Sequence, residues 1–234
     1  MSAFGRWGLV GAVIAGLCSL FLFSPASGKP GDRLLSPIDP TSAAPLTIVF
    51  MGTSLSARVP WPDLVIARLA ECGAAPLRAR RIAEGGVTSA WALSRIEAVI
   101  AAAPELVLLE FAINDADLRH GLSLGTSRDN HRVLISRLKQ GLPEARIILM
   151  TTNPATGLRR LLRPRLAAYY ALYRELAVEL DVGLIDLYPR WLAVRNLTQS
   201  FTDGLHPTEA AALSVVAPVV TSYLARLLGK DCAP

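Results

Sequence analysis

Glu105-Leu-Val-Leu-Leu-Glu-Phe111 is the stretch that decides the fold. Four apolar residues stand between its two glutamates with no polar alternation. A strand of that kind has both faces buried and belongs inside a parallel sheet covered on both sides. Working outward, Leu46-Thr-Ile-Val-Phe50 has the same character, and Leu77 to Ile82 is a weaker strand. Downstream, Ala145-Arg-Ile-Ile-Leu-Met150 and Val182 to Leu187 bring the set to five. Helical spacing fills the intervals: Asp63 to Glu71 behind Pro62, Ser89 to Ala103, Arg128 to Gln140, Arg165 to Leu180, and a last run from Pro207 to Leu228. Strands alternating with helices predict an α/β three-layer sandwich around a five-stranded parallel sheet, flavodoxin-like, in one domain over 46–228.

The ends of the chain read differently. Residues Trp7 to Phe23 carry no charge, Arg6 precedes them, and Ser24-Pro25-Ala26-Ser27-Gly28 follows with small residues. That is the pattern of a signal peptide, and the run is also long enough to serve as a membrane anchor, so 1–28 is expected to be one or the other. Residues 29–45 are rich in Pro, Gly, Ser and Asp without periodicity and are expected to be a linker. Residues 229–234 form a short tail. The rest of the chain is expected outside the cytoplasm: periplasmic, secreted, or held at a membrane through residues 7–23.

Of the 234 residues, 52% are hydrophobic and 18% charged, with a net charge of +5. Almost all of the positive charge is arginine, for there are only three lysines. No dense basic run interleaves with aromatics, which argues against a nucleic-acid partner. Cys18 lies in the leader; Cys72 and Cys232 are expected either to pair in an oxidising compartment or to stay free. No Cys or His spacing suits a metal.

In sheets of this class, sites gather past the carboxyl ends of the strands. Gly52-Thr53-Ser54-Leu55 follows the first strand, Glu84-Gly85-Gly86-Val87-Thr88-Ser89 the second, and Ala112-Ile113-Asn114-Asp115 the third. Asp203-Gly204-Leu205-His206-Pro207 comes after the fifth. Each alone has an ordinary use as a turn, a cap or a helix start. Together they place a hydroxyl nucleophile, backbone donors, an amide donor and a carboxylate–imidazole pair on one edge of the sheet.

This set resembles the four blocks of the SGNH hydrolases, also called the GDSL family, over about Leu46 to Leu228. The family's Gly-Asp-Ser-Leu is Gly52-Thr53-Ser54-Leu55 here; its oxyanion-hole glycine matches Gly86. Its Gly-x-Asn-Asp is Ala112-Ile113-Asn114-Asp115, and its Asp-x-x-His-Pro stands unchanged at Asp203, His206 and Pro207. Thr53 and Ala112 are the two departures. The resemblance implies a serine esterase: Ser54, Asp203 and His206 as the catalytic triad, with Ser54, Gly86 and Asn114 as the oxyanion hole. It implies acetyl or short acyl esters, some on carbohydrates, as substrates, and no metal or organic cofactor. An acyltransferase built on the same triad and a non-catalytic polysaccharide-binding relative are the competing readings.

Two further expectations concern basic residues. Arg159, Arg160, Arg163 and Arg165 fall past the fourth strand, either as a solvated loop or, for Arg159 and Arg160, as substrate-binding residues attracting an anionic polymer or headgroup. His120 and His131 have no comparable setting and are expected on the surface.

Overall fold

The structure is a computed structural model that describes residues 31–38 and 45–232. The expected leader, 1–28, lies outside the described residues, as do residues 29–30 and 39–44 of the expected linker and the last two residues of the tail.

Five parallel strands form the sheet: β1 (Leu46–Gly52), β2 (Leu77–Ala83), β3 (Leu106–Glu110), β4 (Arg146–Thr151) and β5 (Gly183–Asp186), in the order β2-β1-β3-β4-β5. The expected α/β three-layer sandwich is what the chain forms. Every residue of β1, β3 and β5 is buried, as their unbroken apolar runs require. β2 differs because it is an edge: Arg78, Arg80 and Arg81 are exposed on it, charges that discourage pairing with another chain.

Among the described residues, nine shorter helices pack around the sheet: α1 (Ser54–Ala57), α2 (Trp61–Glu71), α3 (Ser89–Ser94), α4 (Ile96–Ala101), α5 (Ala112–Asp115), α6 (Leu124–Gly141), α7 (Gly157–Leu161), α8 (Leu166–Glu179) and α9 (Tyr188–Leu192). The C-terminal helix, Glu209–Leu227, packs with α2 on one face, while α3, α4, α6 and α8 pack together on the other.

Three boundaries differ from expectation. The helix expected over Ser89 to Ala103 breaks at Arg95, where the Ser94 hydroxyl bonds the Trp91 carbonyl and competes with the helical pattern. The C-terminal helix carries a π-helical stretch, Ala212–Val216, just before Pro218, which lacks the N–H that would continue the α pattern. Residues 31–38, expected within the linker, lie against the domain. Arg33 bridges antiparallel to Leu184 on β5, the Tyr223 hydroxyl donates to the Arg33 carbonyl at 2.7 Å, and the Ile38 N–H reaches the Leu227 carbonyl. This segment covers the second edge of the sheet. A disulfide joins Cys72 to Cys232 across 160 residues, tying the end of α2 to the C-terminal segment.

The strand order reverses direction after β1, because β2 lies on one side of it and β3 on the other. Such a switch point opens a crevice at the carboxyl ends of the two diverging strands. Here those ends carry Ser54 and Asn114.

Candidate active site

Ser54 opens α1 immediately past β1 and is nearly buried. The turn is held from below by Glu110, the last residue of β3, which faces Gly52 across the sheet. Glu110 accepts from the Thr53 N–H at 2.6 Å, from the Thr53 hydroxyl at 2.9 Å and from the Ser56 hydroxyl at 2.8 Å. A side chain at position 52 would collide with this carboxyl, its Cβ falling 2.1 Å from Glu110 Oε1, so glycine is required there. Full burial pushes the Glu110 carboxyl up to about 7, against the pull of the hydrogen bonds from Thr53 and Ser56. The contact also explains Thr53. An aspartate at 53 would set a second carboxylate against Glu110, whereas a hydroxyl donates to it. Above the turn, the Trp61 indole donates to the Leu55 carbonyl at 2.8 Å and packs edge-on against Phe50.

Asp203 and His206 sit in the loop before the C-terminal helix. His206 Nδ1 lies 3.0 Å from both Asp203 carboxylate oxygens, and His206 Nε2 lies 2.8 Å from Ser54 Oγ. With Nδ1–H donated to Asp203, Nε2 is the free acceptor for the Ser54 proton. Burial raises the Asp203 carboxyl, but the His206 N–H, the His206 ring and the Leu205 N–H outweigh it and hold Asp203 well below the usual carboxylate range. Arg159 Nη2 adds a bond to Asp203 Oδ2 at 3.0 Å.

Gly86 and Asn114 line the same pocket as Ser54 and His206, a cavity of about 250 Å³. Gly86 has φ +81°, a left-handed conformation that glycine adopts without strain. The Asn114 amide is oriented from both ends. Nδ2 donates one hydrogen to the Val87 carbonyl at 2.9 Å, and Arg163 Nη2 approaches Oδ1 at 3.4 Å. The second Nδ2 hydrogen is left for the pocket. α5 itself is tethered by Tyr173, whose hydroxyl accepts from the Phe111 N–H at 2.9 Å and the Ala112 N–H at 3.2 Å.

The structure thus brings Ser54, Gly86, Asn114, Asp203, His206 and Arg159 together. It does not bring Arg160 with them; that side chain lines a neighbouring cavity beside Tyr188 and Leu192. Arg163 is not a solvated loop residue either. It is buried, donates to the Ile113 carbonyl at 2.8 Å and pairs with Asp117 at 2.7 Å. The expectation that His131 lies on the surface is wrong. It is fully buried, with Nδ1 donating to the Ser127 carbonyl at 2.7 Å and Nε2 accepting from the Tyr173 hydroxyl at 2.8 Å. Its place on the inner face of α6 makes it a support for Tyr173 and so for α5. Burial holds its pKa below the ordinary histidine value. His120 is exposed, as expected, and lies at the pocket.

The profile of the GDSL-like lipase/acylhydrolase family matches residues 48–212, most of the chain. The chain belongs to that family. It is therefore an SGNH enzyme of the ester-hydrolysing kind. Solved structures share the family's fold. A lipase/acylhydrolase from Enterococcus faecalis superposes with a TM-score of 0.69 at 23% identity, over 81% of this chain and 99% of that one. Axe2 from Geobacillus stearothermophilus, an acetylxylan esterase solved as an S15A catalytic mutant, gives 0.66 at 18% identity over 82% and 99%. LAE5, an α/β hydrolase from the metagenome of Lake Arreo in Spain, gives 0.64 at 19% over 80% and 97%. A search of curated protein sequences finds no match.

The sequence did not show the supporting roles of Glu110 and Asn153, and it placed Arg163 in a loop without showing that it is buried against Ile113 and Asp117. Glu110 had a signal: an acid closing an otherwise apolar strand, beside the glycine of the nucleophile turn. Asn153 is buried past β4 and donates to the Leu205 carbonyl at 2.7 Å, which anchors the histidine loop.

Proposed function

We propose that this SGNH enzyme is an exported serine esterase that removes acetyl or other short acyl groups, on carbohydrate or a small alcohol, by a Ser54–His206–Asp203 triad. The observation that carries this reading is the relay of contacts from Ser54 Oγ to His206 Nε2 at 2.8 Å and from His206 Nδ1 to Asp203 at 3.0 Å, in a pocket that also holds Gly86 and Asn114.

In this mechanism His206 Nε2 takes the Ser54 proton as Oγ attacks the ester carbonyl. Asp203, kept ionised, orients the ring and stabilises the imidazolium. The tetrahedral oxyanion is met by the Ser54 N–H, the Gly86 N–H and the free hydrogen of the Asn114 amide, donors that are already fixed before reaction. His206 then protonates the departing alcohol. Water, deprotonated by the same imidazole, attacks the acyl-enzyme and releases the acid and Ser54.

The small cavity favours a short acyl group, and the acetylxylan esterase among the structural relatives supports an acetyl ester on sugar. The Cys72–Cys232 disulfide and the charge-free run of 7–23 support export. The test is labelling by an aryl or alkyl organophosphonate, located by peptide mass spectrometry, beside a panel of acetyl, butyryl and longer aryl esters and acetylated xylan. Label on Ser54 with activity greatest on acetyl esters is expected. Turnover that persists in Ser54→Ala would end the serine mechanism. For export, a C-terminal reporter active only outside the cytoplasm should be active on this chain; a silent reporter would overturn that part.

A further inference from the structure

Among the described residues, four arginines line the Ser54 pocket, Arg58, Arg119, Arg159 and Arg163, and no aspartate or glutamate lines it. Three are already engaged. Arg163 is buried against Asp117, Arg119 grips the same Asp117 with two bonds at 2.9 and 2.6 Å, and Arg159 bonds Asp203. One acid therefore serves two arginines, and Asp203 is shared between Arg159 and His206. The four lining arginines outnumber the two carboxylates, Asp117 and Asp203, that pair with them.

Arg58 is the fourth. Its guanidinium has no ion-pair or hydrogen-bond partner among the described residues. It is nevertheless close to the site. Arg58 stands four residues after Ser54, and its N–H closes the α1 turn on the Ser54 carbonyl at 3.0 Å. Its guanidinium lies over Gly85, so that a Cβ at that position would fall 2.6 Å from Arg58 Nη2. Gly85 precedes Gly86, the candidate oxyanion donor. Arg58 is exposed to solvent where it lies on this loop, and a guanidinium fork in that place can bind an anion with two parallel hydrogen bonds.

We propose that the pocket is built for an ester carrying a negatively charged group, a carboxylate or a phosphate, near the scissile bond, with Arg58 as the side chain that binds it and Arg119 beside it. This rests on the serine esterase reading and adds the substrate's charge. The field of the other arginines draws the anion in, and Arg58 fixes it.

The experiment compares matched esters: 4-acetoxybenzoate against its methyl ester, and 4-acetoxyphenyl phosphate against its dimethyl ester. In the wild-type enzyme, kcat/KM should favour at least one charged ester over its neutral partner by roughly 10-fold, and the preference should shrink with added salt. Arg58→Gln should reduce that charged-to-neutral ratio by about 10-fold or more, and Arg58→Lys should reduce it less. Gly85→Ala, which crowds the guanidinium from its place, should lower the ratio without removing the charge, and serves if Arg58→Gln does not fold. Whichever of the carboxylate and phosphate pairs depends more on Arg58 names the anion. A wild-type preference for the neutral esters, or a ratio unchanged in Arg58→Gln and Gly85→Ala, would overturn the proposal while leaving the esterase reading in place. No turnover of any ester together with no label on Ser54 would overturn both.

Discussion

The two halves of the candidate site are built in opposite ways. Ser54 and Asn114 stand on the ends of adjacent buried strands, and every support beneath them is interior: Glu110 below the Ser54 turn, Tyr173, His131 and Arg163 around α5. Asp203 and His206 stand on a surface loop, with about a third of the aspartate side chain and a quarter of the histidine side chain exposed. That loop is held by short local bonds: an isolated bridge from Phe201 to Pro207, the Thr202 N–H to the His206 carbonyl, and Asp203 Oδ1 accepting from the Leu205 and His206 N–H groups. The core half owes its precision to packing, where a displacement costs many contacts at once. The loop half owes it to a closed set of hydrogen bonds and a few tethers to the domain.

The largest expected effect tests whether the halves work as one. Ser54→Ala and His206→Ala should each lower kcat by roughly 10³-fold or more, and the double variant should be little worse than either, because members of one catalytic unit are not additive. Steady-state kinetics on an aryl acetate measures this. Losses that multiplied in the double variant would mean the two halves act independently.

Next comes the core half alone. Asn114→Ala removes a fixed donor whose bond strengthens as the carbonyl becomes an oxyanion, so kcat should fall by about 10²- to 10³-fold with KM little changed. Asn114→Asp should be at least as damaging, since it sets a negative charge against the oxyanion. Wild-type kcat in Asn114→Ala would leave the serine mechanism standing and take the role from Asn114.

A third test reads the core half through pH. Glu110 titrates near 7 in the fold and at 4.5 without it, so the folded state holds the proton more tightly across that interval. The stability this lends is fully present below pH 4.5 and is lost as pH rises toward and through 7, up to about 3 kcal/mol. His131 works the other way, since its pKa is lowered and stability falls as pH drops below 6.5. Glu110→Gln removes only the first effect. The stability difference between Glu110→Gln and wild type, from urea unfolding at each pH, should therefore grow in favour of the variant from pH 4.5 to 7.5. A difference independent of pH would show that Glu110 does not hold its proton there.

The same contrast explains what could be read from the sequence. The strands, their parallel sense and the four loops past their ends follow from periodicity and from the rule for such sheets, and the resemblance to the SGNH hydrolases picked out Ser54, Gly86, Asn114, Asp203 and His206 in those loops as candidate site residues. The pairing of Cys72 with Cys232 was legible, though only as one of two possibilities. The supports were not. Glu110 meets Thr53 across 57 residues, Arg163 meets Asn114 across 49, and Asn153 meets Leu205 across 52. Such contacts depend on strand order and helix placement, which local pattern does not encode. His131 misled for the same reason. A histidine on an amphipathic helix reads as exposed until its partner, Tyr173 on α8, is known to face it.

The smallest expected effect falls on the loop half, at Asn153. Its side chain is the buried polar tether from the domain to the loop, donating to the Leu205 carbonyl at 2.7 Å and to the Pro154 carbonyl at 3.0 Å. Asn153→Ala leaves the Leu205 carbonyl without that donor, an omission worth about 1–3 kcal/mol when the group is buried. The local bonds from Asp203 to Leu205 and His206 survive the change, so the loop should keep its internal shape and lose its fixed distance from Ser54. The expected result is a kcat lower by about 10-fold with KM nearly constant, together with faster hydrogen exchange confined to 201–207. Exchange that quickened throughout β4 as well would place Asn153 among the supports of the core and erase the boundary between the two halves. Unchanged kcat despite the lost stability would show that the Thr156–Gly204 backbone bond, formed at 2.8 Å from the Thr156 N–H, holds the histidine loop by itself.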